Sequence, residues 1–101
     1  MKIFVDDIRT PVSTEWMCAR TVGSAQDLIA MSGGPFFLSL DHDLGGESTT
    51  RELMTWMLWE GFVPAGACVH SANPVGHEWL TMCLEKDFVH PIPIITTPDW
   101  V

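Results

Sequence analysis

Phe36-Phe37-Leu38-Ser39-Leu40-Asp41-His42-Asp43 is the stretch on which the fold turns. Pro35 precedes it and Gly45-Gly46 follows it. Only Ser39 interrupts the apolar run from Phe36 to Leu40. A short, nearly continuous apolar run between turn formers is a strand buried on both faces, as in a parallel sheet. It ends abruptly in acids.

The same arrangement recurs on either side. Ile3 to Val5 form a brief apolar run that ends in Asp6 and Asp7, and Ala67 to Val69 form another that ends in His70-Ser71. Cys18 to Val22 read as a short strand, and Ile8 to Met17, with Pro11, Ser13 and Thr14, as a loop. Ile92 to Thr96 read as a last strand, placed at an edge by Pro91 and Pro93.

Three helices fall between these runs. Ser24 opens S-x-x-D ahead of Leu28, Ile29 and Met31, and Gly33, Gly34 and Pro35 end that helix. Thr49-x-x-Glu52 reads as a capping box before Leu53, Trp56 and Met57, with Gly61 and Pro64 as the stop. Asn73 is a good N-cap with Pro74 at the first helical position, and Trp79, Met82 and Cys83 supply the apolar stripe. Strands alternating with helices imply parallel pairing and right-handed crossovers. The reading is one α/β domain over residues 1–101, a small sandwich of four or five strands and three helices.

Composition narrows the function. The chain has 101 residues, the size of one domain, and 47% of them are hydrophobic, enough for a core. Lys plus Arg number 5 against 13 Asp plus Glu, for a net charge of −8. That balance argues against coating duplex nucleic acid, which needs a basic face. One small anion held by a metal ion or by backbone N–H groups remains compatible with it. Cys18, Cys68 and Cys83 lack zinc-site spacing and read as small buried thiols of a reducing, cytoplasmic compartment. MKIFVDD is no secretory leader, and no apolar run approaches the about 20 residues that span a bilayer.

In an open parallel sheet, ligands bind beyond the carboxyl ends of the strands. Asp6-Asp7, Asp41-His42-Asp43 and His70-Ser71 with Asn73 all fall at such ends. Four carboxylates on neighbouring strands repel unless a cation or proton intervenes, and oxygen-only ligation suits Mg²⁺ or Mn²⁺. Asp6, Asp7, Asp41 and Asp43 are therefore the expected metal ligands. Taken singly, each is equally an acid capping a loop.

The turn from His70 to Pro74 points backbone N–H groups and a helix N-terminus at the same rim, an anion site in which Ser71 and Asn73 bind phosphate. Its plainer reading is an ordinary capped turn. Arg9 is within reach of that phosphate. His42 and His70 are candidate general acids or bases beside Asp41, or else structural histidines; His77 and His90 lack such a setting. Trp16 is either a surface for stacking a base or a plug where a helix is missing.

Val5-Asp6-Asp7, Leu40-Asp41 and Val69-His70-Ser71-Ala72 resemble the strand ends of response-regulator receiver domains. The resemblance implies a flavodoxin-like three-layer sandwich with the first and last helices reduced or absent. It makes Asp6 and Asp7 the metal-holding pair, Asp41 the phosphoryl acceptor and Ser71 the phosphoryl-contacting hydroxyl. The Lys that ends the fifth strand in receivers has no counterpart in Ile94-Ile95-Thr96-Thr97-Pro98, and His42, Asp43 and His70 are foreign to typical receivers.

Asp6-Asp7-Ile8-Arg9, Ser39 to Gly45 and His70 to Pro74 together more closely resemble the cyclic-phosphate processing receiver group of bacteria and their phages. That resemblance implies a metal-dependent phosphoesterase acting on a cyclic phosphate of an RNA end or nucleotide, in phage–host conflict or RNA repair. Two other readings stand beside it: a module that captures a nucleotide without turning it over, and a degenerate receiver working through protein contacts, including contacts with a second copy of itself.

Overall fold

The structure, a computed structural model, describes residues 1–95. Strand β1 (Lys2–Val5) is followed by β2 (Trp16–Ala19), α1 (Val22–Ser32), β3 (Phe37–Leu40), α2 (Arg51–Glu60), β4 (Gly66–Val69) and α3 (Pro74–Lys86). The four strands form one parallel sheet in the order β2-β1-β3-β4. This is the receiver-like, flavodoxin-like α/β arrangement that the sequence implied, except that among the described residues its helices form one layer, so the sandwich has two layers and not three.

Side chains alternate across a strand, so two faces can be separated by register. Lys2 pairs with Trp16 and with Phe37, and Phe37 pairs with Gly66. Ile3, Val5, Leu38, Leu40 and Ala67 therefore share one face. They cluster with Ala25 and Ile29 of α1, Leu53, Met54 and Met57 of α2, and Leu80, Cys83 and Leu84 of α3. All three helices thus cover one face. The other face carries Phe4 and Ser39, both fully buried, with Trp16, Cys18, Phe37 and Cys68 half-buried around them. Among the described residues no helix packs there, and residues 6–15 run back to the start of β2 in place of the helix a receiver would have.

Several boundaries differ from the expectation. Trp16 and Met17 belong to β2, because pairing with Lys2 and Ile3 overrides the turn-forming residues just before them. Helix α1 begins at Val22, capped by Thr21, whose Oγ1 accepts the Ser24 N–H at 3.1 Å; Ser24 lies inside the helix. The capping box of α2 does not form. Thr49 pairs with Asp43 in an isolated bridge, and Thr50, at the N-cap, makes no side-chain cap bond.

On α3 the inward stripe is Leu80, Cys83 and Leu84, with Met82 turned outward. Burial, and then Asp87, push the Cys83 thiol up to about 12, so it stays protonated. The expected last strand is present as a single parallel bridge of Ile94 to Ala67, and Thr96 lies outside the described residues. Among the described residues no helix is long and apolar enough to cross a membrane.

Candidate functional site

The sheet ladder runs one step past its strands. Asp6 N–H donates to the Ala19 carbonyl at 3.1 Å, Asp41 N–H to Val5 at 2.9 Å and His70 N–H to Leu40 at 2.9 Å. These bonds put Asp6, Asp41 and His70 side by side on the helix-free face. His42, the successor of Asp41, turns the other way, toward Gly76 of α3 and Arg51 of α2. Alternation thus sends His42 and His70 to opposite sides of the sheet.

Asp6 is the floor of the site, its side chain 1% exposed. Its Oδ1 accepts the Ile8 and Arg9 N–H groups at 2.9 and 2.8 Å. Its Oδ2 accepts Arg9 Nε and His70 Nε2, each at 2.9 Å. Four donors fill the four lone-pair positions of a carboxylate. Burial works to raise its pKa, but the Arg9, Ile8 and His70 hydrogen bonds and the Arg9 charge outweigh it, and the carboxyl sits below its usual range.

Asp41, next to it, has a different setting. Arg9 Nη2 stands 3.7 Å from its Oδ2, beyond hydrogen-bond distance. Burial, followed by the Asp6 charge, raises its pKa; Arg9, His70 and the His42 backbone N–H offset part of this.

His70 is held on three sides. Its Nδ1 lies 2.6 Å from Ser39 Oγ, its Nε2 donates to Asp6, and its ring stacks on Phe4 with centroids 4.4 Å apart. Its side chain is 3% exposed, and burial lowers its pKa against the pull of Asp6. His42, on the helix side, packs against α3. A Cβ at Gly76 would come within 2.3 Å of the His42 ring, so glycine makes room for it. His42 Nε2 accepts Arg51 Nε at 2.8 Å, and its Nδ1 lies 2.9 Å from Asp43 Oδ1.

Above these residues opens a cleft of about 390 Å³ lined by Asp7, Ile8, Arg9, Asp41, Asp43, Gly45, Gly46, Ala72 and Asn73. Gly45 and Gly46 both adopt positive φ, 87° and 57°, and a Cβ at Gly45 would meet Asp7 Oδ2 at 3.3 Å. Asp43, 59% exposed, reaches the cleft with its Oδ2 accepting Asn73 Nδ2 at 3.3 Å. The His42 and Asn73 hydrogen bonds hold its pKa below the usual range.

The structure therefore gathers Arg9, Asp7, Asp41, Asp43 and Asn73 at one cleft, over Asp6. Asn73 also caps α3, its Oδ1 accepting the Val75 and Gly76 N–H groups at 3.1 Å. Four expected contributors are not lining it, the first being Asp6, which lies under it. His42 and His70 are packed beneath it, and Ser71 Oγ accepts the Asn73 N–H at 3.2 Å within its own loop. Trp16 starts β2, at the end of the sheet away from the cleft; half-buried, its ring meets Phe4 edge-on at 6.4 Å.

For a divalent cation, one oxygen each of Asp6, Asp7 and Asp41 lie within 4.8 Å of one another, an all-oxygen set of the hardness that Mg²⁺ or Mn²⁺ requires. Asp43 stands outside that group. The set fits an ion on one condition: Arg9 must withdraw from Asp6, whose lone pairs are otherwise filled.

Sequence reasoning missed Ser39, Arg20, Arg51 and Gly76. Arg20 donates to the Asp6 and Arg9 carbonyls and to Thr10 Oγ1, pinning the 6–10 segment. The signal for Ser39 was present, as the single polar residue of a buried strand.

The family described as the cyclic-phosphate processing receiver domain matches residues 1–86. No curated protein and no solved structure matches the chain.

Proposed function

The chain belongs to the cyclic-phosphate processing receiver family, and from that premise we propose that it is a phosphoesterase that opens a cyclic phosphate on a nucleotide or RNA end. The observation that supports this reading is the meeting of Arg9, Asp41 and Asp43 in one cleft, with the two carboxyls shifted in opposite directions.

Hydrolysis adds a water oxygen to phosphorus and breaks one P–O bond, with one proton leaving the water and one reaching the departing ribose oxygen. Arg9, part-exposed in the cleft, binds a non-bridging phosphoryl oxygen. Asp41, raised toward neutrality, takes and returns the proton, the direction a general acid–base group needs. Asp43, which stays ionised, orients the water. His42 and His70 hold Asp43 and Asp6 in place. Asp6 and Asp7 would hold Mg²⁺ or Mn²⁺, with Asp41 joining them only in its ionised form; the ion when bound would draw electron density from a phosphoryl oxygen.

A second reading, capture without turnover, is favoured by one observation: both imidazoles are buried and engaged at both nitrogens. Incubation with 2′,3′- and 3′,5′-cyclic nucleotides and with RNA bearing a cyclic phosphate end, with Mg²⁺ or Mn²⁺, separates the two. Product formation, reduced ~10²–10⁴-fold by Asp41→Asn and unaffected by His77→Ala, is the expected result. Saturable binding without product would leave the capture reading. A melting temperature indifferent to millimolar Mg²⁺ and Mn²⁺ would remove the metal from either, since a ligand at a hundredfold excess over Kd adds about 2.7 kcal/mol.

A further inference from the structure

We infer that Arg51 is a positioning residue for the cleft carboxylate Asp43, acting through the protonation pattern of His42. Arg51 is a donor that has no alternative. Arginine carries only N–H groups and stays protonated. Its Nε therefore donates across the 2.8 Å to His42 Nε2, which must present a lone pair. The ring proton is then on Nδ1, where it faces Asp43 Oδ1 at 2.9 Å and donates to it. Which imidazole nitrogen is protonated is set by the hydrogen bond the other one makes.

Neither partner is free to rearrange. The Arg51 guanidinium lies 4.7 Å over the Trp79 ring, so the first residue of α2 is clamped onto α3. The His42 ring is confined by Gly76, where even a methyl group would collide with Cγ, Nδ1 and Cβ. A glycine inside a helix costs about 1 kcal/mol relative to alanine, and its contact with His42 accounts for its presence. Asp43 is the most exposed member of the row, and it is also the one that reaches the cleft.

His70 has the opposite pattern. Its Nε2 faces the ionised Asp6, which can only accept, so the proton is on Nε2 and Nδ1 accepts from Ser39. The molecule thus holds two buried neutral histidines of opposite tautomer, each donating to a different carboxylate. Without Arg51, nothing would reserve the His42 Nε2 lone pair. A ring protonated on Nε2 would turn a lone pair toward Asp43, and the carboxylate would swing away.

The inference concerns Asp43 as a cleft residue and rests on the proposed site, but its test requires neither ligand nor turnover. Nitrogen-15 correlation spectra of the imidazoles identify the protonated nitrogen of each ring. In the ligand-free wild-type protein at neutral pH, His42 should show a protonated Nδ1 and His70 a protonated Nε2. Arg51→Met keeps the stem over Trp79 but removes the donor; it should shift His42 to a mixed or Nε2-protonated pattern and leave His70 unchanged. Arg51→Lys restores a donor and should return His42 part of the way. A wild-type His42 protonated on Nε2 would overturn the inference whether or not the variants fold, and so would an unchanged His42 pattern in Arg51→Met. A protein that never turns over a cyclic phosphate yet shows the opposed tautomers would retain this inference and lose the enzymatic one.

Discussion

Asp6 at the end of β1 and Asp41 at the end of β3 follow residues that sit side by side in the sheet, Val5 and Leu40. They share a face, a neighbour in Arg9 and nearly the same depth. What separates them is the number of donors. Asp6 receives four hydrogen bonds from Ile8, Arg9 and His70, whereas Arg9 stays 3.7 Å from Asp41. One carboxyl is lowered and the other raised. The sheet sets which groups meet; the loops decide what each becomes. Asp6 is tied into the structure, and Asp41 is left facing the cleft.

The comparison breaks most visibly in stability. Asp6→Asn keeps the shape but turns an amide NH₂ toward donors, leaving buried N–H groups unmatched. It should cost about 3 kcal/mol, read as a lower urea midpoint. An unchanged midpoint would mean that the four bonds are not holding the fold. Ser39→Ala should cost about 1.5 kcal/mol by stranding His70 Nδ1, and should propagate to Asp6 because His70 joins the two.

Asp41→Asn should act in the other direction. It removes a desolvated charge repelled by Asp6 and should stabilise the ligand-free protein at pH 7 by about 1 kcal/mol while lowering turnover ~10²–10⁴-fold. The smallest effect is the pH dependence of that gain. The folded pKa of Asp41 is above the ordinary carboxyl value of 3.8, so its charge weighs on the folded state at neutral pH. That penalty is relieved as pH falls through the folded pKa toward 3.8. Asp41 also favours protonation of His70, whose folded pKa is below 6.5, so losing Asp41 deepens the acid sensitivity of His70. Both changes have the same sign: the advantage of Asp41→Asn should shrink between pH 7 and about pH 4.5. An advantage that grows on acidification would reverse the assignment. Asp6, with its folded pKa below 3.8, contributes stability that is lost only at still lower pH.

Local chemistry made much of this legible in the sequence. The apolar runs ending in polar residues gave β1, β3 and β4, and Asn73-Pro74 gave the start of α3. The rim of three strand ends followed from the parallel sheet. Long-range geometry explains what was misread. Trp16 is a strand residue because Lys2 pairs with it, and Thr49 fails to cap because Asp43 uses its backbone. The two histidines looked equivalent, each beside a strand end. Their separation depends on the register that aligns Leu40 with Val69, and so Asp41 with His70. No local signal contains that register, nor the choice of Ser39 and Arg51 as partners.

Residues 6–15 return the chain from the end of β1 to the start of β2 without a helix, and Asp6 and Arg20 pin the beginning of that return. In terms of heredity, one codon therefore answers to two selections. A lineage that abandoned its ligand would still be penalised for losing Asp6, because the crossover would loosen. Asp43 and Ala72 line the same cleft without carrying the sheet and are free to drift toward a new ligand. Retention of Asp6 in a descendant would report an intact scaffold, whereas Asp41 and Asp43 would report what the cleft still does.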